Sequence, residues 1–193
     1  MKILAIIAHP NPRSFCHALY DKVVTGLIRA GHEVRVRDLY RDRFDPVLGA
    51  QELADLRQGK VADDVAVEQN WLTWAEGLVF VYPLWWFDRP AMLKGWFDRV
   101  LTHGFAFTYA TGAAQGLLTH RKALVVVTTG GSEAEFANMG VRKEHLVLPI
   151  TQGTLRYCGV QEVVARLFWD VPGRSESGRE AMLRAAYRLG ESF

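Results

Sequence analysis

The hydrophobic and polar positions along the chain predict alternating strands and helices. Continuous aliphatic runs of this length are typical of parallel strands that are buried on both faces, and they occupy residues 3–8, 77–83 and 123–129. Residues 33–37 alternate charged and apolar side chains, which indicates a strand with one exposed face. A fifth strand is predicted over residues 160–168.

Helical periodicity separates these strands. After the first strand, apolar residues recur at helical spacing, and Gly31 is suited to end that helix in the left-handed conformation. The same periodicity predicts further helices over residues 51–56, 64–76, 91–101 and 146–157, and from Ser177 toward the end of the chain. Residues 103–120 show no clear periodicity and are expected to be irregular.

Two helices carry more specific predictions. The helix over residues 64–76 is expected to carry Val67, Trp71 and Trp74 on one side. The last helix is expected to begin at Ser177, with Glu180 completing a capping box three residues later. Together the elements predict a single α/β domain over residues 1–193, in which a five-stranded, doubly wound parallel sheet lies between two helix layers.

Composition and charge narrow the classes of function. The 193 residues are 49% hydrophobic and carry 23 Lys and Arg against 21 Asp and Glu. Without a run of like charges, this near balance gives no electrostatic footprint for nucleic acid. Cys16 and Cys158 lie far apart, which fits a reducing compartment, and no histidine pair has the spacing of metal ligands, so no metal is expected.

The start of the chain bears on location. Its apolar run ends before His9 and Pro10, which makes it too short for a signal peptide or a membrane span. We therefore expect a cytoplasmic protein without membrane insertion.

Candidate chemistry follows three of the predicted strands. In a doubly wound sheet, ligands bind beyond the carboxyl ends of the strands. Residues 9–15 run from the first strand into a helix N-terminus, which favours an anion such as phosphate. His9, Arg13 and Ser14 add polar groups there. The alternative is an ordinary connection in which Ser14 only caps the helix.

The other two segments are rich in aromatic residues and in glycine. Residues 84–87, LWWF, place three aromatic rings in a row, and stacking on a flat ligand adds about 0.5–1.5 kcal/mol beyond the burial of area. The alternative is that these rings pack into the core or a dimer interface. Residues 128–132, TTGGS, would let backbone amides approach a hydride-accepting cofactor such as an isoalloxazine.

These segments carry a family resemblance. AHPNPRSF, YPLWWFDRPAMLKGWFDRVLTHGFAFTY and TTGGS resemble, in order and spacing, the NAD(P)H:quinone oxidoreductases, the DT-diaphorase-like family of the flavodoxin-like fold. The resemblance implies a flavin, FAD first and FMN as the alternative. The implied cofactor contacts are His9, Ser14, Phe15, Cys16, Pro83, Leu84, Trp85, Trp86, Phe87, Thr128, Thr129, Gly130 and Gly131. Phe107 and Tyr109 are implied as substrate contacts, shared across a homodimer.

The resemblance also implies an activity and exposes a departure from the family. Members pass two electrons as hydride from NAD(P)H through the flavin to a quinone, by a ping-pong mechanism. They usually carry a tyrosine and, six residues later, a histidine proposed as a charge relay, where this chain has Phe136 and Arg142. Neither side chain can shuttle a proton, although Arg142 can stabilise a reduced flavin through its charge. Alternatively, Phe136 is a packing residue and Arg142 a solvated charge.

Two further implications concern the cofactor and the partners. Arg174 and Arg179 are candidates for holding the adenosine phosphate of FAD. The ancillary reductases of bacterial glutathione-gated potassium efflux systems are related to this family, so a regulatory subunit of such a channel is the alternative function. A one-electron flavodoxin carrier is disfavoured, because such carriers are strongly acidic and this chain has a net charge of +2.

Overall fold

The computed structural model describes residues 1–110 and 112–193. Its strands, in chain order, are β1 (Lys2–Ile7), β2 (Glu33–Asp38), β3 (Gly77–Pro83), β4 (Phe107–Thr108), β5 (Gln115–Gly116), β6 (Lys122–Thr128) and β7 (Glu162–Phe168). Five of them form a parallel sheet in the order β2-β1-β3-β6-β7, whereas β4 and β5 pair as a short antiparallel ribbon. This order reverses direction between β1 and β3, which is the switch point of a flavodoxin-like sheet.

Helices cover both faces of this sheet. In chain order they are α1 (Phe15–Arg29), α2 (Ala50–Leu56), α3 (Asp63–Trp74), α4 (Ala91–Val100), α5 (Glu133–Asn138), α6 (Lys143–Ile150) with a π-helical turn (Thr151–Arg156) directly after it, and α7 (Glu176–Glu191). α1 and α7 pack on one face, and α3, α4 and α6 pack on the other. The prediction of a doubly wound, five-stranded sheet is therefore confirmed.

The central strands are buried because successive side chains supply opposite layers. In β1, Leu4 and Ile6 face the layer of α3 and α4, while Ile3 and Ala5 face the layer of α1 and α7. All of β3 is buried in the same way. Such strands need apolar side chains at every position, which is the pattern that predicted them.

The side of α3 that carries Val67, Trp71 and Trp74 is not its most buried side. The buried residues of this helix are Val65, Glu68 and Leu72, and Val67 is exposed. Glu68 is tolerated in the core because Arg37 Nε and Trp96 Nε1 donate to its two carboxylate oxygens, at 2.7 and 3.0 Å. Trp71 and Trp74 are only partly buried, and the Arg35 guanidinium of β2 lies over both rings, 5.3 and 4.2 Å from their centroids.

Other boundaries differ from the predictions as well. The cap of α7 is Ser175, whose side chain accepts from Gly178 N, so the predicted box between Ser177 and Glu180 is wrong. A capping box forms instead at α5, between Ser132 and Glu135, in a helix that the periodicity did not predict. The stretch over residues 103–120, expected to be irregular, contains the β4–β5 ribbon.

A buried arginine attaches the long segment that follows β2. Arg99 of α4 donates to the Asp45 carbonyl at 2.7 Å and forms two hydrogen bonds with the Asp64 carboxylate, at 2.7 and 3.0 Å. Its Nε donates to Glu52 at 2.9 Å. This single side chain therefore fixes the start, the middle and the end of residues 45–64 against α4.

No helix within residues 1–110 and 112–193 is both long and apolar enough to cross a membrane. Among these residues, no three His, Cys, Asp or Glu side chains come together as a metal site.

Candidate functional site

The loops that follow β1, β3 and β6 converge on one cavity of about 280 Å³, here named the three-loop cavity. It lies beyond the carboxyl ends of the strands, beside the switch point between β1 and β3. Ten of the residues that were predicted to contact the cofactor line this cavity: His9, Ser14, Phe15, Cys16, Pro83, Leu84, Trp85, Thr128, Thr129 and Gly130. Val171 and Pro172, in the loop after β7, complete the lining and were not predicted. The one feature of the sequence that could have indicated them is that they follow β7, the strand next to β6 in the sheet.

The first wall of the cavity is the N-terminus of α1. Ser14 is the N-cap, and its hydroxyl oxygen accepts from His17 N at 3.2 Å. The first turn of this 15-residue helix holds no acidic residue. The free amides and the positive end of the helix dipole therefore favour an anion in the cavity.

A hydrogen-bonded chain holds Ser14 in place. Its Oγ lies 3.1 Å from His17 Nδ1, and His17 Nε2 lies 3.2 Å from Asp38 Oδ2 at the end of β2. The carboxylate fixes the imidazole with its proton on Nε2, so that Nδ1 accepts from the serine hydroxyl. The orientation of Ser14 therefore depends on two residues outside the cavity lining.

His9 connects the first wall with the second. The amide of Asn11 donates to His9 Nδ1 at 3.0 Å, which leaves the proton of the neutral ring on Nε2. Burial lowers the pKa of His9 below its ordinary value, so the ring is neutral near pH 7. Its centroid lies 5.8 Å from the ring of Trp85. His9 can therefore donate one hydrogen bond beside an aromatic wall.

Cys16 is chemically quiet in this arrangement. Its side chain is buried, and burial raises the pKa of the thiol to about 12. The thiolate is the nucleophilic form, so Cys16 contributes shape to the cavity and no reactivity.

The aromatic segment forms a strained turn. Trp85 and Asp88 exchange two backbone hydrogen bonds, of 2.9 and 3.0 Å, around the two intervening residues. Trp86 and Phe87 occupy these positions with φ of 50° and 63°, in the left-handed region that normally favours glycine or asparagine. Trp86 is 96% exposed, and neither ring lines the three-loop cavity. Only the first of the three aromatics therefore forms a wall of the cavity.

The third wall comes from the turn after β6. Thr129 N donates to Phe168 O at 3.0 Å, and its hydroxyl donates to Gly131 O at 2.7 Å. A Cβ built on Gly130 would meet nothing within 4 Å, whereas one on Gly131 would lie 3.2 Å from the Phe136 ring. Gly130 therefore leaves open space beside the cavity, and Gly131 allows close packing outside it.

Phe136 and Arg142, which stand where the family resemblance implies relay residues, both lie outside the lining of the three-loop cavity. Phe136 stands between Phe87 and Trp169, with ring centroids 5.5 and 5.4 Å away, and extends the aromatic turn toward the end of β7. Arg142 is exposed at the start of α6, where its amide lies 3.3 Å from His145 Nδ1. Phe136 thus packs with aromatic neighbours, and Arg142 does not line the three-loop cavity.

The residues predicted to contact substrate form a separate aromatic cluster. The hydroxyls of Tyr109 and Tyr157 are 2.7 Å apart, and the Phe107 ring lies 5.7 Å from that of Tyr157. Neither Phe107 nor Tyr109 lines the three-loop cavity. Within one chain, the predicted cofactor and substrate residues are therefore not brought together.

Arg174 lines a cavity of about 340 Å³ next to Trp169. Its Nε donates to Trp169 O at 3.2 Å, and Arg179 donates to the carbonyl of Arg174. Arg179 is not among the lining residues. Of this pair, Arg174 alone therefore lines this cavity.

Comparisons with known proteins agree with this geometry. The chain is 34% identical over 189 residues to NAD(P)H dehydrogenase (quinone) 1 of Cavia porcellus, covering 88% of this chain and 69% of that protein. It superposes on the NAD(P)H:quinone oxidoreductase from Methanothermobacter marburgensis with a TM-score of 0.88 and 32% identity, covering 100% and 96% of the two chains. General stress protein 14 of Treponema denticola, in complex with FMN, gives a TM-score of 0.69 at 28% identity, covering 98% and 95%.

A family model for the flavodoxin-like fold matches residues 1–189. Together with these relatives, the match shows that the chain belongs to the flavodoxin-like fold family, in the group of the NAD(P)H dehydrogenases (quinone).

Proposed function

We propose that this protein is an NAD(P)H:quinone oxidoreductase that holds a flavin in the three-loop cavity. The convergence of the loops after β1, β3 and β6 on that cavity carries the proposal. The names of the relatives support the same reaction, and the complex of the Treponema denticola protein with FMN supports the cofactor class.

The residues of the cavity fit the two ends of a flavin. The start of α1, capped by Ser14, suits the phosphate, because it offers amides and a positive dipole without a competing carboxylate in the first turn. Trp85 suits a flat ring. The open space at Gly130 lets such a ring come close to the backbone N–H groups of the turn after β6. The exposed Trp86 supplies further aromatic surface beside a cavity too small for the whole cofactor.

For the identity of the flavin we propose FAD, with FMN as the alternative. Arg174 favours FAD, since this guanidinium lines a second cavity that suits a diphosphate or adenosine phosphate. The FMN in the Treponema denticola structure favours the smaller cofactor.

A flavin held beside Ser14 and Trp85 would supply two-electron hydride chemistry between NAD(P)H and a quinone. His9 would orient it through the Nε2 proton, and Leu84 and Trp85 would exclude water from one side. Reduction of a quinone to a hydroquinone also requires a proton, which Phe136 and Arg142 cannot deliver. We assign that proton to solvent.

We propose a homodimer in which Phe107 and Tyr109 reach the cofactor site of the other copy. Their separation from the three-loop cavity supports this arrangement, and Tyr109 is exposed enough to be covered by a second chain. Sedimentation of the purified protein tests it, and a monomer at all concentrations would contradict it.

The first experiment is a spectrum of the protein purified without added cofactor, followed by anaerobic addition of NADPH or NADH and then of a benzoquinone. We expect yellow protein that bleaches with the nicotinamide and regains its colour with the quinone. The Trp85→Leu variant should lose flavin. The Trp71→Leu variant should keep it, because Trp71 lies in α3 against Arg35 of β2 and does not line the three-loop cavity. Colourless protein that binds no added flavin would refute the proposal, and chromatography of released flavin separates FAD from FMN.

A further inference from the structure

The hydrogen-bonded chain behind the three-loop cavity consists of Ser14, His17 and Asp38. Ser14 lines the cavity, whereas His17 and Asp38 do not. The side chains of His17 and Asp38 are 12% and 11% exposed, so both are largely shielded from solvent. Histidine is the side chain that changes its charge near neutral pH, and this chain therefore has two proton arrangements.

With a neutral His17, the Ser14 hydroxyl offers the cavity no proton. Its oxygen accepts from His17 N at 3.2 Å, and its proton points to His17 Nδ1 at 3.1 Å, because Asp38 Oδ2 holds the ring proton on Nε2. A hydroxyl has one proton and two lone pairs. A lone pair is therefore what remains for the cavity, and it repels the oxygen of a phosphate.

With a protonated His17, the same atoms present a donor to the cavity. The ring then donates from Nε2 to Asp38 and from Nδ1 to Ser14 Oγ. Both lone pairs of the hydroxyl oxygen are used by His17, one by its amide and one by its ring. The hydroxyl proton is free to turn to the cavity, where it can donate a charge-assisted hydrogen bond to an anion.

The titratable neighbours of His17 keep a constant charge near neutral pH. The ring centroid of His9 lies 6.0 Å from that of His17, and burial lowers the pKa of His9, so it stays neutral. On α1, burial raises the pKa of the Cys16 thiol to about 12 and also raises the pKa of the Tyr20 hydroxyl, so both stay protonated. Asp21, one turn further along α1, is exposed, and solvent screens its charge.

The charges behind Asp38 are paired with each other. Arg37 and Arg41 lie 2.8 and 3.0 Å from Asp42, and Arg37 Nε also donates to Glu68 at 2.7 Å. Two guanidinium groups thus meet two carboxylates. The Asp38 carboxylate is the anion in direct contact with the histidine, and it favours the protonated ring.

We propose that His17 and Asp38 are positioning residues of the proposed flavin site, and that the flavin phosphate binds together with one proton, which His17 takes from solvent. The inference rests on the proposed function and adds a pH dependence to it. A flavin with a phosphate binds more weakly as the pH rises and the protonated ring becomes rarer. Riboflavin, which has no phosphate, gains nothing from the hydroxyl proton and binds without this coupling.

The test is isothermal titration calorimetry of FMN into the flavin-free protein at about pH 7.5, in two buffers with different enthalpies of ionisation. The difference in heat gives the number of protons taken up. The FMN phosphate is almost fully ionised at this pH, because its second pKa is about 6. We expect FMN to take up at least about 0.3 proton and riboflavin none. Between about pH 6.5 and 8.5, the Kd of FMN should rise about fivefold or more, and one proton limits this rise to about 100-fold.

The variant Asp38→Asn separates the placement of the proton from a purely structural role. Asp38 Oδ1 accepts from Tyr40 N and Arg41 N, at 3.2 and 3.1 Å. An asparagine must keep its oxygen there, so its NH₂ group faces His17 Nε2 and moves the ring proton to Nδ1. Ser14 then presents its proton at every pH. FMN should bind without proton uptake, and its Kd should change less than about twofold over the same pH range. A purely structural role predicts weaker binding with unchanged proton uptake.

The variant His17→Asn provides a second test. The amide of asparagine can donate to Ser14 Oγ from near the position of Nδ1, and it does not titrate. This variant should also bind FMN without proton uptake. His32→Asn is the matched control, because His32 lies beyond the other end of α1, with Nδ1 3.2 Å from the amino group of Met1. It should take up the same fraction of a proton as the wild type.

Several results would overturn the inference. They are equal proton uptake with FMN and riboflavin, no uptake with FMN in the wild type, unchanged uptake in Asp38→Asn or His17→Asn, and loss of uptake in His32→Asn. If the variants at positions 17 and 38 fail to fold, FMN against riboflavin on the wild type decides. Protein that binds no flavin would refute the proposed function together with this inference, whereas FMN bound without a proton would refute the inference alone.

Discussion

Trp86 offers a replacement with opposite effects on stability and on cofactor binding. Its φ of 50° lies in the left-handed region, which costs a residue with a large side chain about 1–2 kcal/mol. Asparagine adopts this conformation more readily than other residues except glycine. Trp86→Asn should therefore recover about half of that cost, roughly 0.5–1 kcal/mol.

Little stabilising burial is lost in this change, because the Trp86 side chain is 96% exposed. For a chain of this size, the gain corresponds to a rise in Tm of about 1–4 °C. The proposed flavin site would lose a stacking surface worth about 0.5–1.5 kcal/mol, which raises the Kd about 2- to 12-fold.

The measurements are thermal unfolding of the flavin-free protein and titration of flavin by fluorescence quenching. Trp85→Asn is the matched control, because Trp85 lacks the positive φ, lines the three-loop cavity and contacts the His9 ring. It should lower both stability and affinity. A Trp86→Asn protein less stable than the wild type would refute the strain argument, and unchanged flavin affinity would remove Trp86 from the site.

Three further predictions concern other parts of the chain. Burial lowers the pKa of His120, whereas an unfolded histidine has a pKa of about 6.5. In the folded protein, His120 Nε2 donates to Leu72 O at 3.0 Å. The contribution of His120 to the free energy of unfolding is therefore complete above that pH and falls as the pH drops below it. In the His120→Gln variant, the free energy of unfolding measured in urea should decrease less between about pH 7.5 and 5. Ser14→Ala should remove about 1 kcal/mol of helix capping and weaken FMN more than riboflavin in fluorescence titrations; equal weakening would argue against a phosphate at α1. Gly95→Ala would place a Cβ 2.0 Å from Pro46 O, and a loss of less than about 1 kcal/mol in urea unfolding would contradict this steric argument.

The sheet and the position of the three-loop cavity were predictable because each depends on a local pattern. β3 and β6 are buried on both faces, and a strand of that kind must be apolar at consecutive positions. Once parallel strands alternate with helices, their carboxyl ends meet at one edge, so the loops after β1, β3 and β6 were expected to converge. The lining of the three-loop cavity follows from this rule, except at Val171 and Pro172, whose residue types carry no chemical signal.

The packing of α3 could not be obtained from periodicity. Burying Glu68 rather than an aromatic neighbour depends on Arg37 and Trp96, which lie 31 and 28 residues away in the chain. A helical pattern records hydrophobicity within one segment, and it does not record a distant partner that satisfies a carboxylate.

The conformation of the aromatic turn was unpredictable for a related reason. Bulky aromatics are unfavourable at positive φ, so local preferences argue against the observed backbone at Trp86 and Phe87. The start of α7 was ambiguous for a smaller reason, because Ser175 and Ser177 compete for one cap and their hydroxyls are 3.1 Å apart.

Arg99 has a consequence for the motions of the chain. None of the residues 45–64 is fully buried, and such a segment usually exchanges its amide protons through small local openings. Here, detaching the segment would strand a buried guanidinium, whose loss of partners costs about 3–5 kcal/mol. The amides of α2 and the first turn of α3 should therefore exchange together with those of α4, as one cooperative unit on one timescale.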